Sequence, residues 1–207
     1  MNMALDEVLW DSATRPALRV YQWDHPALSF GFFGLYEDVA QYERERKVVR
    51  RCTGGGIVFH GSDLTYALVI PATERIYGKS SQAIYDFVHQ AIKKALSASG
   101  VSATLAQPHG DKKSAADTIG PCFANPVTAD VLVNDQKVAG AAQRRSRGGL
   151  LQQGSVQNVK IGPKFCEKFA EALSPDVVAC EIEPNLLEKA HRLAESKYGT
   201  EAWLKRR

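Results

Sequence analysis

A chain of 207 residues, 44% of them hydrophobic and 9% aromatic, is long enough to bury a full core, most simply in one domain. Its formal net charge of +3 is too small for a strongly basic nucleic-acid-binding protein. No run of about 18 apolar residues predicts a membrane span, and acidic residues stand where a signal peptide needs basic ones. The cysteines form no CxxC pair and are too sparse for a disulfide framework. We therefore expect a cytoplasmic protein with reduced thiols and neither nucleic acid nor a membrane as a partner.

Short elements of both types are predicted over the first quarter of the chain. Residues 2–11 place apolar side chains near one helical face, and residues 37–47 have the charged, sparsely apolar composition of an exposed helix. Between them, residues 18–23 alternate apolar and polar side chains as a strand does. A turn at residues 24–26 then returns the chain as a second strand over residues 27–31.

Three consecutive glycines interrupt an apolar run in the segment Arg50-Arg51-Cys52-Thr53-Gly54-Gly55-Gly56-Ile57-Val58-Phe59-His60. Val48 and Val49 lead into it, so the pattern predicts a strand, a glycine loop and a second strand. Because glycine has no Cβ and adopts positive φ, the loop backbone is able to lie directly against a ligand. Neither a Walker A loop nor Gly-x-Gly-x-x-Gly spacing is present. The alternative interpretation is a tight turn with a pair of surface arginines.

The later elements are a strand over residues 63–71, a helix that ends at about residue 97 with Ser80 and Ser81 as candidate caps, a hairpin turning at 134–136 and a strand over 150–156. Two helices follow in the tail, over the residue ranges 165–173 and 184–197. Strands that cluster in runs with helices between and after them predict an α+β fold with a mixed, largely antiparallel sheet flanked by helices. We expect one domain over residues 1–207, with a helical tail from about residue 163.

Two residues near the predicted hairpin are able to carry chemistry. Cys122 lies between a Gly-Pro pair and a phenylalanine just before the hairpin, and Lys137 lies on its return strand. A cysteine nucleophile needs its thiolate form and therefore a nearby cation or base, which Lys137 would supply if the strands meet. The alternatives are a small buried cysteine and a solvated lysine at a strand end. Five arginines, Arg50, Arg51, Arg144, Arg145 and Arg147, would form a basic patch for an acidic partner or a phosphate, or else a solvated cluster.

In five segments the sequence resembles the superfamily of lipoate and octanoate protein ligases and octanoyltransferases, which is related to biotin protein ligase. The segments follow the order found in that family and span roughly residues 2–156. They are Asn2-Met3-Ala4-Leu5-Asp6-Glu7, the eleven-residue glycine segment quoted above, Asp63-Leu64-Thr65-Tyr66, Lys137-Val138-Ala139-Gly140-Ala141-Ala142-Gln143 and Leu151-Gln152-Gln153-Gly154-Ser155.

This resemblance implies the biotin/lipoate protein ligase catalytic-domain fold, in which the acyl chain lies over a mixed sheet. It implies that the glycine loop lies along the pocket of the acyl group or acyl-adenylate, and that Lys137 contacts the activated carbonyl. The substrate-binding residues that follow from it are Arg50, Arg51, Thr53, Gly54, Gly55, Gly56, His60, Gly140 and Gln143. His60 is expected to pack or to form hydrogen bonds, and no metal site is predicted.

The family divides by how the acyl group is activated. Ligases use ATP to form an acyl-adenylate, need no cysteine and often carry a C-terminal accessory domain. Octanoyltransferases take octanoate from acyl carrier protein as a thioester on cysteine and pass it to a lysine of a lipoyl domain. Pro121-Cys122-Phe123 resembles the nucleophile segment of the cysteine-dependent branch, whereas Cys52 has no such counterpart. No second domain is expected after about residue 160, which also favours the transferase.

The resulting hypothesis is an octanoyl-[acyl-carrier-protein]:protein N-octanoyltransferase with catalytic residues Cys122 and Lys137 and no required cofactor. Its expected partners are octanoyl-acyl carrier protein and the lipoyl domains of glycine cleavage H protein or 2-oxoacid dehydrogenase E2 subunits. One alternative is a lipoate–protein ligase that uses ATP and Mg²⁺, with a structural Cys122. A second is an amidotransferase that moves octanoyl groups between lipoyl domains. A third is a non-catalytic acyl-binding module.

Overall fold

A computed structural model describes residues 1–107 and 126–206. The helices in these residues are α1 (Asn2–Ser12), α2 (Ser81–Ala98), α3 (Phe165–Leu173), α4 (Pro184–Leu193) and α5 (Glu201–Leu204). The strands are β1 (Ala17–Tyr21), β2 (Ala27–Phe30), β3 (Lys47–Arg50), β4 (Val58–His60), β5 (Leu64–Pro71), β6 (Thr104–Leu105), β7 (Val131–Val133), β8 (Gln136–Ser146) and β9 (Gly149–Val156). None of the described helices is both long and apolar enough to cross a membrane.

Six of the described strands form a large antiparallel sheet in the order β1-β5-β9-β8-β7-β6. β5 and β9 pair along their whole length, from Leu64 opposite Val156 to Pro71 opposite Gly149. β5 is buried at every position after Leu64, as its apolar sequence predicts. Its side chains alternate between two helical layers, because successive residues of a strand point to opposite faces.

A smaller sheet has the order β3-β2-β4, with β2 parallel to β3 and antiparallel to β4. The predicted pattern of strand, glycine loop and strand is confirmed, since the loop carries the chain from one edge of β2 to the other. The parallel pair makes the sheets mixed overall, so the predicted fold class is confirmed. The turn at residues 24–26 does not form a hairpin, because β1 pairs with β5 instead. β2 is buried at all four positions and needs neighbours along both edges, which β3 and β4 supply.

Helices α2 and α3 cover one face of the large sheet. α2 begins at the predicted cap, where Ser80 Oγ accepts a hydrogen bond from Ala83 N at 3.1 Å. Its buried residues recur at helical spacing and share a core with Tyr66 of β5. Phe169 of α3 packs edge-on against the Tyr66 ring, with ring centroids 5.3 Å apart. Hydrophobic burial on this face therefore orients α2 over the strands that carry the candidate site.

Helix α1 covers the opposite face and is itself covered by the tail. Trp10 of α1 packs with Val69 of β5 and Leu151 of β9. Leu5 of α1 packs with Ala190 of α4. The tail is helical as predicted, and α3 has the predicted bounds. The helix predicted over residues 184–197 ends at Leu193 and continues as a π-turn.

Two local predictions need correction. The exposed helix predicted over residues 37–47 is instead two short 3₁₀ segments, Tyr36–Asp38 and Ala40–Arg44. Val39 is its one fully buried apolar side chain, and a single anchor does not stabilise a regular amphipathic helix. The hairpin turn has two residues, with φ of 50° at Asn134 and 60° at Asp135, which is the type I′ pattern that fits strand twist. Gln136, predicted in the turn, opens β8.

Gly154 of β9 provides a test of packing in the centre of the large sheet. A Cβ at this position would lie 2.4 Å from the Tyr66 ring, which is 1% exposed. We expect Gly154→Ala to lower the free energy of unfolding by about 1–3 kcal/mol, because a buried ring has little room to move. Gly78→Ala is the matched control, since a Cβ there would meet nothing within 4 Å in the part of the chain that the structure describes. Urea unfolding measures both, and equal loss of stability in the two variants would contradict this packing.

Candidate functional site

The guanidinium of Arg51 holds the glycine loop, residues 51–57, in one conformation. Its Nη2 donates to the carbonyls of Gly54 at 3.0 Å and Gly56 at 2.9 Å. Its Nη1 donates to Ser29 Oγ of β2 at 2.7 Å. Arg51 is 6% exposed, so these charge-assisted hydrogen bonds to the loop backbone and to β2 are formed in a buried setting. The arginine shapes the loop from behind.

The loop also packs directly against the end of β2. A Cβ on Gly31 would lie 1.9 Å from the Gly55 carbonyl oxygen, so only glycine allows this approach. Gly55 has a φ of +83°, a conformation that favours glycine. A Cβ on Gly54 would meet no atom of the described residues within 4 Å. The loop is therefore fixed on one side and has open space beside Gly54, as the wall of a pocket requires.

Thr53 connects the loop to a buried polar chain that reaches α1. Thr53 Oγ1 donates to Gln153 Oε1 at 2.8 Å, and Gln153 Nε2 donates to Asp6 Oδ2 at 2.7 Å. Arg19 Nη1 and Tyr21 OH donate to the same carboxylate at 2.6 and 3.0 Å. Burial raises the pKa of the Asp6 carboxyl, while Arg19 and the hydrogen bonds oppose that rise. The Asn-Met-Ala-Leu-Asp-Glu segment thus contributes to the site by holding Gln153.

His60 forms a second buried connection, between the two sheets. Its Nδ1 lies 2.8 Å from Asp63 Oδ2, and its Nε2 lies 2.7 Å from Ser29 Oγ. Ser155 Oγ and Thr65 Oγ1 also donate to Asp63 Oδ2, at 2.6 and 2.9 Å. Burial lowers the pKa of His60 more than Asp63 raises it, which favours a neutral ring that donates from Nδ1 and accepts from Ser29. The predicted substrate-binding residue His60 is 5% exposed and orients Ser29.

Arg50 holds the C-terminal segment against the small sheet. Its guanidinium donates to main-chain carbonyls at distances of 2.7–3.1 Å, namely those of Phe32, Gly34, Trp203, Leu204 and Arg206. In return, Trp203 Nε1 donates to the Arg50 carbonyl at 3.1 Å. Arg50 is 1% exposed, so the structure places it as a clamp on the tail rather than at an open surface.

The five arginines do not form one basic patch. Arg50 and Arg51 are buried and bonded to backbone carbonyls, so neither presents its charge at an open surface. Arg144 Nη1 donates to the Cys52 carbonyl at 3.2 Å beside the glycine loop. The sequence suggested that Arg50 and Arg51 bind an acidic partner, but their guanidinium groups donate to backbone carbonyls instead. A buried arginine needs such acceptors close by.

Lys137 lies in a buried ion pair. Its Nζ is 2.7 Å from Asp130 Oδ2, with side-chain exposures of 6% for the lysine and 0% for the aspartate. A Cβ on Gly140 would lie 2.6 Å from Lys137 Cε and 2.9 Å from its Nζ. The side chain therefore lies flat over Gly140, and any larger residue there would displace the ammonium. Within the Lys-Val-Ala-Gly segment, Gly140 therefore provides the space that the Lys137 side chain occupies.

One face of β8 brings Lys137 and the glycine loop together. Gly140 and Ala142 are two residues apart and so lie on the same face, about 7 Å from each other. A Cβ on Gly55 would be 3.2 Å from Ala142 Cβ. Gln143, by contrast, donates from Nε2 to Gln152 Oε1 at 2.6 Å and to the Ser81 carbonyl at 3.2 Å. Its contacts are therefore with β9 and the start of α2, away from the glycine loop.

The cysteines fall into separate environments. Cys122 lies outside the described residues. Cys52 is 1% exposed, and burial raises the pKa of its thiol to about 11, which keeps it protonated at neutral pH. Cys166 is exposed on α3. The structure thus gives Cys52 the character of a packing residue.

Sequence reasoning missed the partners of the predicted residues. Asp130 stands at the mouth of the hairpin opposite the lysine strand, and a cross-strand carboxylate was a usable signal for an ion pair. Gln153 was part of a quoted segment but was given no role. Tyr85 lies on α2 between apolar positions, where nothing in the local sequence indicates that its hydroxyl reaches β8.

The chain is similar to known proteins in both sequence and structure. The sequence model of the lipoyl protein ligase A/B catalytic domain matches residues 1–179. Octanoyltransferase LipM of Clostridioides difficile is 34% identical over 164 residues, which cover 75% of this chain and 60% of that protein. The chain thus spans about 60% of the length of this curated relative.

Two solved structures share the fold. Lipoate-protein ligase A bound with ATP has a TM-score of 0.77 and 20% identity, covering 98% of this chain and 92% of its own. The bi-partite lipoate protein ligase of Thermoplasma acidophilum, studied with its E2 lipoyl domain, has a TM-score of 0.76 and 18% identity, covering 99% and 90%. These identities establish a common fold and leave the reaction to be argued from the site.

The Asp63 carboxyl provides a test in acid. Burial would raise its pKa, but the hydrogen bonds from His60, Ser155 and Gly61, together with the charge that His60 gains in acid, lower it from 3.8 to about 2. A lowered folded pKa adds stability above the unfolded value, and this stability disappears as the pH falls through the folded value. We expect the stability advantage of the parent over Asp63→Asn to shrink by about 2 kcal/mol between roughly pH 5 and pH 2.

Urea unfolding at a series of pH values measures this difference. The exposed Asp176 provides the control, because Asp176→Asn should leave the pH dependence of the parent unchanged. A parent-to-variant difference for Asp63→Asn that stays constant across the acid range would contradict the hydrogen-bonded carboxylate.

Proposed function

Because the chain belongs to the lipoyl protein ligase A/B catalytic-domain family, we propose that it transfers an octanoyl group to a lysine of a lipoyl domain through a thioester on Cys122. The name of its 34%-identical relative, an octanoyltransferase, supports this reaction over others in the family. The proposed donor is octanoyl-acyl carrier protein, and the proposed reaction needs no nucleotide or metal ion.

The observation that carries the proposal is the fixed position of Lys137. An ammonium held beside a buried carboxylate, over Gly140 and next to the glycine loop, is suited to stabilise the oxyanion that forms when an acyl carbonyl is attacked beside it. We therefore assign Lys137 the role of a cation that stabilises negative charge, which is one of the two roles, cation or base, that the sequence left open.

In the first half-reaction, the Cys122 thiolate attacks the carbonyl carbon of the octanoyl thioester. The tetrahedral oxyanion collapses, the carbon–sulfur bond to the donor breaks, and the donor thiolate leaves and takes up a proton. The octanoyl group is then held as a thioester on the enzyme. A cation near the thiol lowers the cost of forming the attacking thiolate.

In the second half-reaction, the neutral amine of the acceptor lysine attacks the enzyme thioester. An amide bond forms, the Cys122 thiolate leaves, and the amine loses a proton to solvent or to a nearby base. The glycine loop would line the acyl chain, since its backbone is fixed by Arg51 and open beside Gly54. A lipoyl domain as acceptor is supported by the structural relative that was studied with its E2 lipoyl domain.

A second candidate is an ATP-dependent lipoate or octanoate ligase. It is favoured by the fold shared with lipoate-protein ligase A, which was solved with ATP. In that case free acid and ATP would replace the carrier-bound donor, and Cys122 would be dispensable. The donor and the cysteine therefore discriminate the two candidates in one assay.

We expect Cys122→Ser to reduce octanoyl transfer from acyl carrier protein to a lipoyl domain by at least about 1,000-fold, because a neutral hydroxyl replaces the thiolate nucleophile. Cys166→Ser is the matched control, since this cysteine is exposed on α3, and it should keep the parental rate. Lys137→Met should reduce the rate by roughly 100- to 1,000-fold through loss of the charge that stabilises the oxyanion. The mass of the lipoyl domain, followed over time without nucleotide, measures all three.

Parental activity in Cys122→Ser would refute the thioester route. Octanoylation of the lipoyl domain only with free octanoate, ATP and Mg²⁺ would identify a ligase instead. Octanoylation with an octanoylated lipoyl domain as the sole effective donor would identify an amidotransferase. Binding of octanoate without any turnover would leave an acyl-binding module.

A further inference from the structure

The carboxylate of Asp130 has no exposed surface and is satisfied by donors from three directions. Lys137 Nζ and the Val127 amide each lie 2.7 Å from its Oδ2. Tyr85 OH donates to its Oδ1 at 2.5 Å. A buried ion pair contributes little net stability compared with apolar packing, so this arrangement needs another explanation.

Tyr85 connects that carboxylate to the strand that bears the lysine. Its hydroxyl donates to Asp130 and accepts a hydrogen bond from the Ala141 amide of β8 at 3.1 Å. Ala141 lies directly after Gly140, over which the Lys137 side chain passes. Burial, followed by the charge of Asp130, raises the pKa of the Tyr85 hydroxyl, so it remains a donor at neutral pH. The Tyr85 hydroxyl therefore fixes both the Asp130 carboxylate, which pairs with the Lys137 ammonium, and the β8 backbone next to Gly140.

His89 supports the same group from the next turn of α2. Its ring packs against Tyr85 with centroids 4.1 Å apart, and its Nδ1–H donates to the Ala129 carbonyl at 2.7 Å. Ala129 has a φ of 69°, which is strained for a residue with a side chain. Burial lowers the pKa of His89 to about 4, so the ring is neutral. The strained turn that directs Asp130 inward is thus held by a helix on the far face of the sheet.

We propose that Tyr85 and Asp130 are positioning residues for the reaction: together they hold the Lys137 ammonium at the carbonyl of the acyl group, with His89 bracing both. This inference rests on the proposed function, in which Lys137 stabilises the oxyanion. It adds that α2 and the turn before β7 position the Lys137 ammonium, although neither element contributes a group that contacts the reacting atoms. Hydrogen bonds that fix an ammonium to within a fraction of an ångström matter more for the transition state than for substrate binding.

The test is Tyr85→Phe, which keeps the ring and removes both hydrogen bonds. We expect its kcat for octanoyl transfer to fall about 10- to 100-fold, with KM for the octanoyl donor changed less than about twofold. Tyr77→Phe is the matched control, because the Tyr77 hydroxyl also bonds to β8, at the Ser146 carbonyl, but far from Lys137. It should leave both constants unchanged. Asp130→Asn should reproduce the kcat effect, and circular dichroism should show native helix content in each variant.

A double-mutant cycle with Lys137→Met separates positioning from general damage. If Tyr85 acts through the lysine, adding Tyr85→Phe to Lys137→Met should change the residual single-turnover rate by less than about twofold. A full additive loss in that background, or an unchanged kcat in Tyr85→Phe alone, would overturn the positioning role while leaving the proposed function intact. A parental rate in Lys137→Met would instead overturn the proposed function itself.

Discussion

The buried carboxylate of Asp63 is the joint on which the geometry of the site depends. It accepts hydrogen bonds from His60 of the small sheet and from Ser155 and Thr65 of the large sheet. A buried carboxylate that loses one donor is destabilised by about 1–3 kcal/mol, so the two sheets are held in one relative position. Through Ser29, the same network reaches Arg51 and fixes the glycine loop.

The two halves of the candidate site come from the two sides of that joint. The glycine loop belongs to the small sheet, and Lys137 belongs to the large one. They meet over Gly140 and Ala142 of β8, where the small residues leave room for the Lys137 side chain and for the glycine loop. Most polar residues of the family segments serve this alignment, since Thr53 and Arg51 bond to protein groups. The segments describe a scaffold that presents a loop and a cation to one face of a sheet.

The sequence was sufficient for strands such as β5 and β9, because their apolar runs and turn residues are local signals, but it did not predict β6 or the full length of β8. The long strand at residues 64–71 and the helix after Ser80 follow from periodicity and a cap. It was not sufficient for Arg50, because three of its five acceptor carbonyls lie 153, 154 and 156 residues away in the tail. Nor did it indicate that the region at residues 37–47 lacks enough anchors for a helix. Hydrogen bonds between residues far apart in the sequence produce no periodic pattern, and the role of Tyr85 was therefore not predicted.

Fold alone does not choose the reaction here, because structures solved as ligases share it. What distinguishes the proposed transferase is a covalent intermediate, which an adenylating enzyme does not form on cysteine. The fixed ammonium of Lys137 is suited to stabilise negative charge in either case. The two candidate reactions therefore differ in whether the Cys122 sulfur becomes acylated.

Intact-mass spectrometry after mixing the protein with octanoyl-acyl carrier protein, in the absence of nucleotide, tests the central claim, that Cys122 becomes acylated, most directly. We expect the mass of the protein to increase by one octanoyl group, which hydroxylamine removes and which peptide mapping assigns to Cys122. A protein that stays unmodified under these conditions, yet octanoylates a lipoyl domain when given octanoate and ATP, would contradict it.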